Sequence, residues 1–239
     1  MSNSSLATSH YWTKNHSSRN GAKIQHIIIH HMAGNLTARQ CYNVWKTREA
    51  SAHYAIDTRG NIGQLVDEKY RAWSVANAYW DARSVTIECA NITGNPSWKV
   101  SDATINACIK LVADICKRNG IKKCTYTGNS QGVLMMHSWF MSTACPGPYL
   151  RTKFNYICKE VNKILNGSSS SSSSSSSTSK SFKVKVSVSD LYIRKGPGTS
   201  YKAVGFINPG TYTIVQTLGH WGKLKSGQGW ICLDYTKRV

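Results

Sequence analysis

The chain has 239 residues, of which 41% are hydrophobic and 17% charged, a balance that supports a packed core and excludes global disorder. Against 11 acidic residues stand 30 Lys and Arg, a formal net charge of +19, which no fold requires and which points to a polyanionic partner: nucleic acid, anionic lipid or the teichoic acid of a Gram-positive wall. No apolar run reaches the roughly 18 residues of a membrane-spanning helix, so no transmembrane segment is expected.

The start, MSNSSLATSHYW, has neither a basic n-region nor an apolar h-region, so synthesis without a signal peptide in the cytoplasm is expected. Lys23 to Ile29 then reads as a buried strand ending at His30, with Met32 to Asn35 as a loop. In the next segment Thr37 and Gln40 carry a capping-box signature, and Cys41, Val44 and Trp45 share a helical face. HYAID and IGQLVD flank Thr58 to Asn61 as a hairpin, and SVTIECA sets Val85, Ile87 and Cys89 on one side of a strand with Glu88 on the other. Ser101 and Gly120 bracket a helix whose stripe is Ile105, Cys108, Ile109, Val112, Ile115 and Cys116. KKCTYTG reads as a short strand, and a last helix after Pro148 carries Leu150, Phe154, Ile157, Cys158, Val161, Ile164 and Leu165. This first part is mixed α/β, a sheet flanked by helices.

Ten serines, Ser168 to Ser177, follow. Such a tract has no apolar surface to offset its ordering entropy, so residues 167–181 are expected to form a linker between domains at 1–166 and 182–239. Both flanks are basic, with 20 basic and 9 acidic residues before the run and 9 and 2 after it, so the charge is not a tail. Downstream, KVKVSV, LYIRK, YKAVGFI, YTIVQTL, WGKLK and GWICL alternate with Gly and Pro turns, the pattern of a small β-barrel. The eight cysteines lie mostly on apparent core faces and are expected as buried thiols.

Three side chains stand out as candidate metal ligands: His30 at a strand end, His137 in MMHSWF and Cys145 in TACPG. Imidazole and thiolate suit zinc, and a catalytic site keeps a fourth position for water. The spacing permits this set without requiring it, since a histidine at a strand end is more often hydrogen-bonded than ligating. The ordered set HIIIHHMAG, SAHYAID, RAWS, SVTIEC and H-x7-C-P-G, however, resembles the amidase-2 family of N-acetylmuramoyl-L-alanine amidases, which includes phage endolysins, peptidoglycan recognition proteins and T7-type lysozymes. The likeness spans about residues 24–165. It implies Zn2+ on His30, His137 and Cys145, and Glu88 as the catalytic carboxylate. In that role Glu88 takes a proton from water attacking the lactyl amide and returns it to the L-alanine nitrogen.

His31 is expected to line the cleft or support a ligand, His53 to be structural or substrate-facing, and His10, His16, His26 and His220 to have no role in the chemistry. The chain departs from some relatives. Ala52 replaces a tyrosine found before the hairpin histidine, which favours Glu88. Thr143 replaces a lysine that stabilises the oxyanion, which implies weaker electrostatic help. Trp73 and Ser74 stand where relatives read Trp-His.

DLYIRKGPGTSYKAVGFINPGTYTIV closely resembles bacterial SH3 (SH3b) domains of cell-wall enzymes. Tyr192, Tyr201, Trp221 and Trp230 are aromatics that could meet sugars or peptide stems there, although in so small a barrel most are expected to be core, and none is assigned as a binding residue. The expected activity is cleavage of the bond between N-acetylmuramic acid and L-alanine in bacterial peptidoglycan, by a bacteriolytic endolysin or autolysin. Without a signal peptide, holin-type release would carry it from the host cytoplasm to the wall. The competing expectations are a non-catalytic peptidoglycan-binding or recognition protein, suggested by Thr143, and nucleic-acid binding, which rests on charge alone.

Overall fold

The structure, a computed structural model, describes residues 3–167, 181–189, 191–198, 201–218 and 221–239. The central serines of the expected linker, and His220, lie outside them. The chain divides into two compact units, Met1–Ser170 and Ser171–Val239.

In the first unit the elements run β1 (Ser9–His10), β2 (His16–Ser18), β3 (His26–His31), α1 (Ala38–Val44), β4 (Tyr54–Ile56), β5 (Ile62–Gln64), β6 (Tyr70–Ala72), α2 (Ala78–Arg83), β7 (Ser84–Cys89), α3 (Asp102–Arg118), β8 (Leu134–Met136), a 3-10 turn (His137–Trp139), α4 (Gly147–Arg151) and α5 (Phe154–Leu165). Six strands form one mixed sheet in the order β1-β5-β4-β7-β3-β8, and β2 pairs with β6 in a separate ribbon. β3 lies parallel to both β7 and β8, β4 is parallel to β7, and the β4–β5 hairpin is antiparallel.

Alternation assigns the two faces of the sheet. Ile27, Ile29, Val85, Ile87, Cys89, Leu134 and Met136 point to α3 and α5, where they meet Ile105, Cys108, Ile109, Val112, Phe154, Ile157 and Val161 in the main core. Each fully buried aliphatic side chain here contributes roughly 1.5–3 kcal/mol of transfer free energy. On the other face Ala55 and Leu65 pack under Ala38, Cys41 and Trp45, and Ile28 and Met135 meet Val75. Gly63 lets α1 approach: a Cβ there would overlap the Ala38 methyl and come within 2.9 Å of Ser9 Oγ.

The helix termini follow local chemistry. Thr37 Oγ1 accepts the Gln40 backbone N–H while the Gln40 side chain accepts the Thr37 N–H, the reciprocal box expected from the sequence. Ser101 caps α3 by accepting the Thr104 N–H. Three expectations fail locally. α1 stops at Val44, which is exposed. The final helix is two, because the Thr152 N–H and hydroxyl both turn back to the Tyr149 carbonyl. KKCTYTG is not a strand: the Cys124 N–H and C=O are taken by the Asn162 side-chain amide at 2.8 Å each, not by a neighbouring strand.

An extended N-terminal segment, not anticipated from the sequence, binds the unit together. Asn3 Oδ1 accepts from Gln64 Nε2 and the Glu68 N–H, and the Ser4 N–H donates to the Tyr54 hydroxyl. That hydroxyl donates to Glu68, which also receives both guanidinium nitrogens of Arg118 at 2.7 and 2.8 Å. Arg19, 3% exposed, donates to the carbonyls of Glu68, Asp81, Ala82 and Ser84, and a further nitrogen lies 2.8 Å from His53 Nε2.

The second unit is a seven-stranded all-β sheet in the order β11-β10-β14-β13-β12-β9-β15, which fits the expected SH3-like class. Its strands are β9 (Phe182–Val186), β10 (Leu191–Arg194), β11 (Ala203–Ile207), β12 (Gly210–Leu218), β13 (Trp221–Leu224), β14 (Trp230–Cys232) and β15 (Thr236–Arg238). Val184, Val186, Leu191, Ile193, Ile207, Ile214, Leu224 and Ile231 supply its core. No helix among the described residues is long and apolar enough to cross a membrane.

Candidate metal centre

Register positions the chemistry. His30 on β3 is the direct partner of Glu88 on β7, and Ala55 on β4 is the partner of Glu88 on its other side. Since opposed residues share a face, His30 and Glu88 project together, away from the α3–α5 core, with the small Ala55 side chain on the β4 side of the carboxylate. Ile29 pairs with Met136 at the end of β8, so the chain delivers His137 next to His30, and their ring centroids lie 4.6 Å apart. Cys145 arrives from the loop before α4, where its N–H donates to Thr143 Oγ1 at 3.2 Å. The site lies at the carboxyl ends of parallel strands, where side chains from several strands converge.

One donor atom from each of His30, His137 and Cys145 falls within 4.8 Å of the others. Tetrahedral bonds of about 2.0–2.3 Å bring such donors only slightly closer. Of eight buried side-chain polar atoms without a hydrogen-bond partner among the described residues, three face one another here: His30 Nε2, His137 Nε2 and Glu88 Oε2. Buried polar atoms without partners are costly, and two imidazole nitrogens and a carboxylate oxygen together call for a cation. The donor set therefore fits a divalent metal of zinc's preferences.

Electrostatics agree. Burial holds the His30 imidazole well below its usual range, with His137 and His31 adding to the effect. Burial, then the Arg48 charge and His31, lowers His137 to about 4. Both rings are thus neutral and ready to ligate. Burial and the nearby Glu88 raise the Cys145 thiol, against the opposing pull of the His31 backbone N–H and Arg151. Burial drives Glu88 up to about 8, opposed by Arg48. A neighbouring cation would favour the thiolate and the carboxylate alike.

His31, partner of Cys89, points away from His30. Its ring meets Trp98 edge-on at 5.1 Å, and a Cβ on Gly147 would come within 3.3 Å of its Nδ1. His53 is fully enclosed, with Nδ1 near Thr86 and Nε2 near Arg19 and Tyr70 O, which makes it structural. Arg48, exposed beyond α1, was missed from the sequence because the segment read as continuous helix. Its charge acts on both Glu88 and His137.

Residues 20–148, more than half of the chain, match the family described as N-acetylmuramoyl-L-alanine amidase. The chain belongs to this amidase family. No curated protein matches it. Among solved structures, the amidase-family unit is similar to the Staphylococcus aureus hydrolase AmiA in complex with its ligand, at 19% identity over 70% of this chain and 95% of that one, with a TM-score of 0.53. The N-acetylmuramoyl-L-alanine amidase endolysin LysCS from Clostridium intestinale aligns at 18% identity over 63% and 96%, TM-score 0.47. The Ph2119 endolysin, from a Thermus scotoductus bacteriophage, aligns at 16% over 64% and 99%, TM-score 0.48. At such identities the AmiA likeness establishes a shared fold, and the mixed α/β sheet with flanking helices is that of the family.

Proposed function

We propose that this chain is a zinc-dependent peptidoglycan hydrolase of the phage-endolysin type, cleaving the amide between N-acetylmuramic acid and the L-alanine of the stem peptide. In this reading residues 1–166 catalyse, 167–181 link, and 182–239 form an SH3b wall-binding domain. The protein is made in the host cytoplasm and reaches the wall after holin-type release. The observation that carries the reading is the convergence of two neutral imidazoles and a thiol, with both Nε2 atoms unpartnered, beside a buried carboxylate.

His30, His137 and Cys145 would hold the ion. When bound, zinc supplies Lewis-acid chemistry, polarising the amide carbonyl and making water a competent nucleophile near neutral pH. Glu88 Oε2, aimed into the site without a partner, receives the proton that the attacking water gives up. The same carboxyl then hands it to the alanine nitrogen, since an amine leaves far better than an amide anion. Arg48 is the cation nearest in effect to these groups, and Thr143 is occupied by the Cys145 N–H. In the second unit Tyr192 and Phe206 are 45% and 56% exposed with centroids 4.5 Å apart, whereas Trp230 is buried. The wall-binding reading rests on that exposed pair and on the basic charge, which also suits teichoic acid.

The test is release of new L-alanine amino termini from purified walls. Wild type should release them, chelation should stop release, and Cys145→Ser should lose zinc and activity together. Undiminished release by metal-free Cys145→Ser would defeat the zinc mechanism.

A further inference from the structure

Outside the metal centre, the most tightly arranged reactive pair is Cys124 and Cys158. Their Sγ atoms are 2.8 Å apart, both residues are buried, and they come from segments 34 positions apart. The Asn162 side chain fixes the approach by gripping the Cys124 backbone. Asn162 accepts the Cys124 N–H through Oδ1 and donates through Nδ2 to the Cys124 carbonyl, both at 2.8 Å. Cys158 lies one turn earlier on the same face of α5. The amide clamp therefore holds residue 124 against the helix with its sulfur over that of Cys158. No S–S bond joins the pair in this structure, and their separation lies between the roughly 2.05 Å of a disulfide and ordinary contact of two sulfurs.

We propose that Cys124 and Cys158 are an intramolecular disulfide site that closes when the protein meets a small-molecule disulfide oxidant, stapling the segment before β8 to α5. Cys158, 7% exposed against 1% for Cys124, is the entry point. The contact with Cys124 also lowers the Cys158 thiol against the opposing effect of burial, so Cys158 carries the first thiolate. That thiolate attacks one sulfur of oxidised glutathione, forming a mixed disulfide and releasing one reduced glutathione. Cys124 then loses its proton, attacks the Cys158 sulfur and expels the second. Two protein thiols become one disulfide, and one glutathione disulfide becomes two thiols, so protons and electrons balance.

The closed loop contains His137 and Cys145. A staple there restrains, in the unfolded chain, the segment that supplies two of the three candidate ligands. Cytosolic thiols keep such a pair open, and an oxidising exterior closes it. Geometry carries the disulfide site, which stands whether or not the metal reading does.

The test uses the full-length, zinc-supplemented protein, equilibrated with oxidised and reduced glutathione, quenched in acid, then denatured with chelator and a thiol alkylator so that every remaining thiol is labelled, and mapped without reduction. Labelled thiols should fall by two from eight. Fragment-ion sequencing should place the link at Cys124, because Cys145 shares its tryptic peptide. The melting temperature should rise by on the order of 10 °C and return on adding reductant. Cys116→Ser, which alters the neighbouring α3 thiol, should cross-link like wild type, whereas Cys124→Ser and Cys158→Ser should not. Retention of eight labelled thiols, a stable glutathione adduct on Cys158, or a Cys116–Cys158 link would each overturn the proposal. Wild-type mapping decides the matter even if a serine variant folds poorly.

Discussion

At the scale of single residues, Glu88 is the most informative position. Its place beside His30 follows from β3–β7 register, and burial pushes its carboxyl up to about 8. Glu88→Gln keeps the shape but cannot accept a proton. It should retain metal, measured by elemental analysis, while wall hydrolysis falls by about 10²–10⁴-fold. His53 offers a test of stability. Burial, reinforced by Arg19 and opposed by the Tyr70 carbonyl, holds its imidazole well below the usual range. The native ring stays neutral where the unfolded one protonates, near pH 6.5. Its stabilising effect is therefore complete above that pH and is lost progressively as pH falls below it, at up to about 1.4 kcal/mol per pH unit. Urea melts of His53→Gln between pH 7.5 and 5 should show a shallower pH slope than wild type, and an identical slope would refute the assignment. Sequence patterning made Glu88's direction legible, because its apolar neighbours alternate. Arg48's influence was not, since it depends on where a loop after α1 turns.

At the scale of elements, legibility tracked period and length. α3 was readable from its stripe and its Ser101 cap, β3 and β7 from apolar alternation, and α1 from its capping box. β1, β2 and β6 have two or three residues each and no period to detect. The KKCTYTG segment has strand-like composition, but it gives both backbone bonds of Cys124 to Asn162 and only the Thr125 carbonyl to β8, a tertiary choice that local propensity does not encode. Two substitutions probe these elements by denaturant titration. Thr37→Ala removes one arm of the α1 box and should cost about 1 kcal/mol. Gly63→Val forces the Ala38 methyl away from β5, and should cost roughly 1–3 kcal/mol as α1 is displaced.

At the scale of the whole molecule, charge and segmentation set the behaviour. Both units are basic within a net +19, so retention on purified walls should weaken steadily as salt is raised from about 0.05 to 0.5 M, where the Debye length shrinks below about 5 Å. Retention that ignores salt would instead favour the exposed Tyr192–Phe206 pair acting through apolar contact. The N-terminal strap carries a practical warning for anyone cutting this gene down. The family match begins at residue 20, and Arg19 stands immediately outside it. Trimming to that border would amputate the donor that four interior carbonyls share, leaving buried acceptors unsatisfied at roughly 1–3 kcal/mol each. A fragment spanning 3–167 should be soluble and melt sharply, while one spanning 20–167 should aggregate on expression. The smallest piece that folds should thus begin upstream of the border that sequence similarity draws.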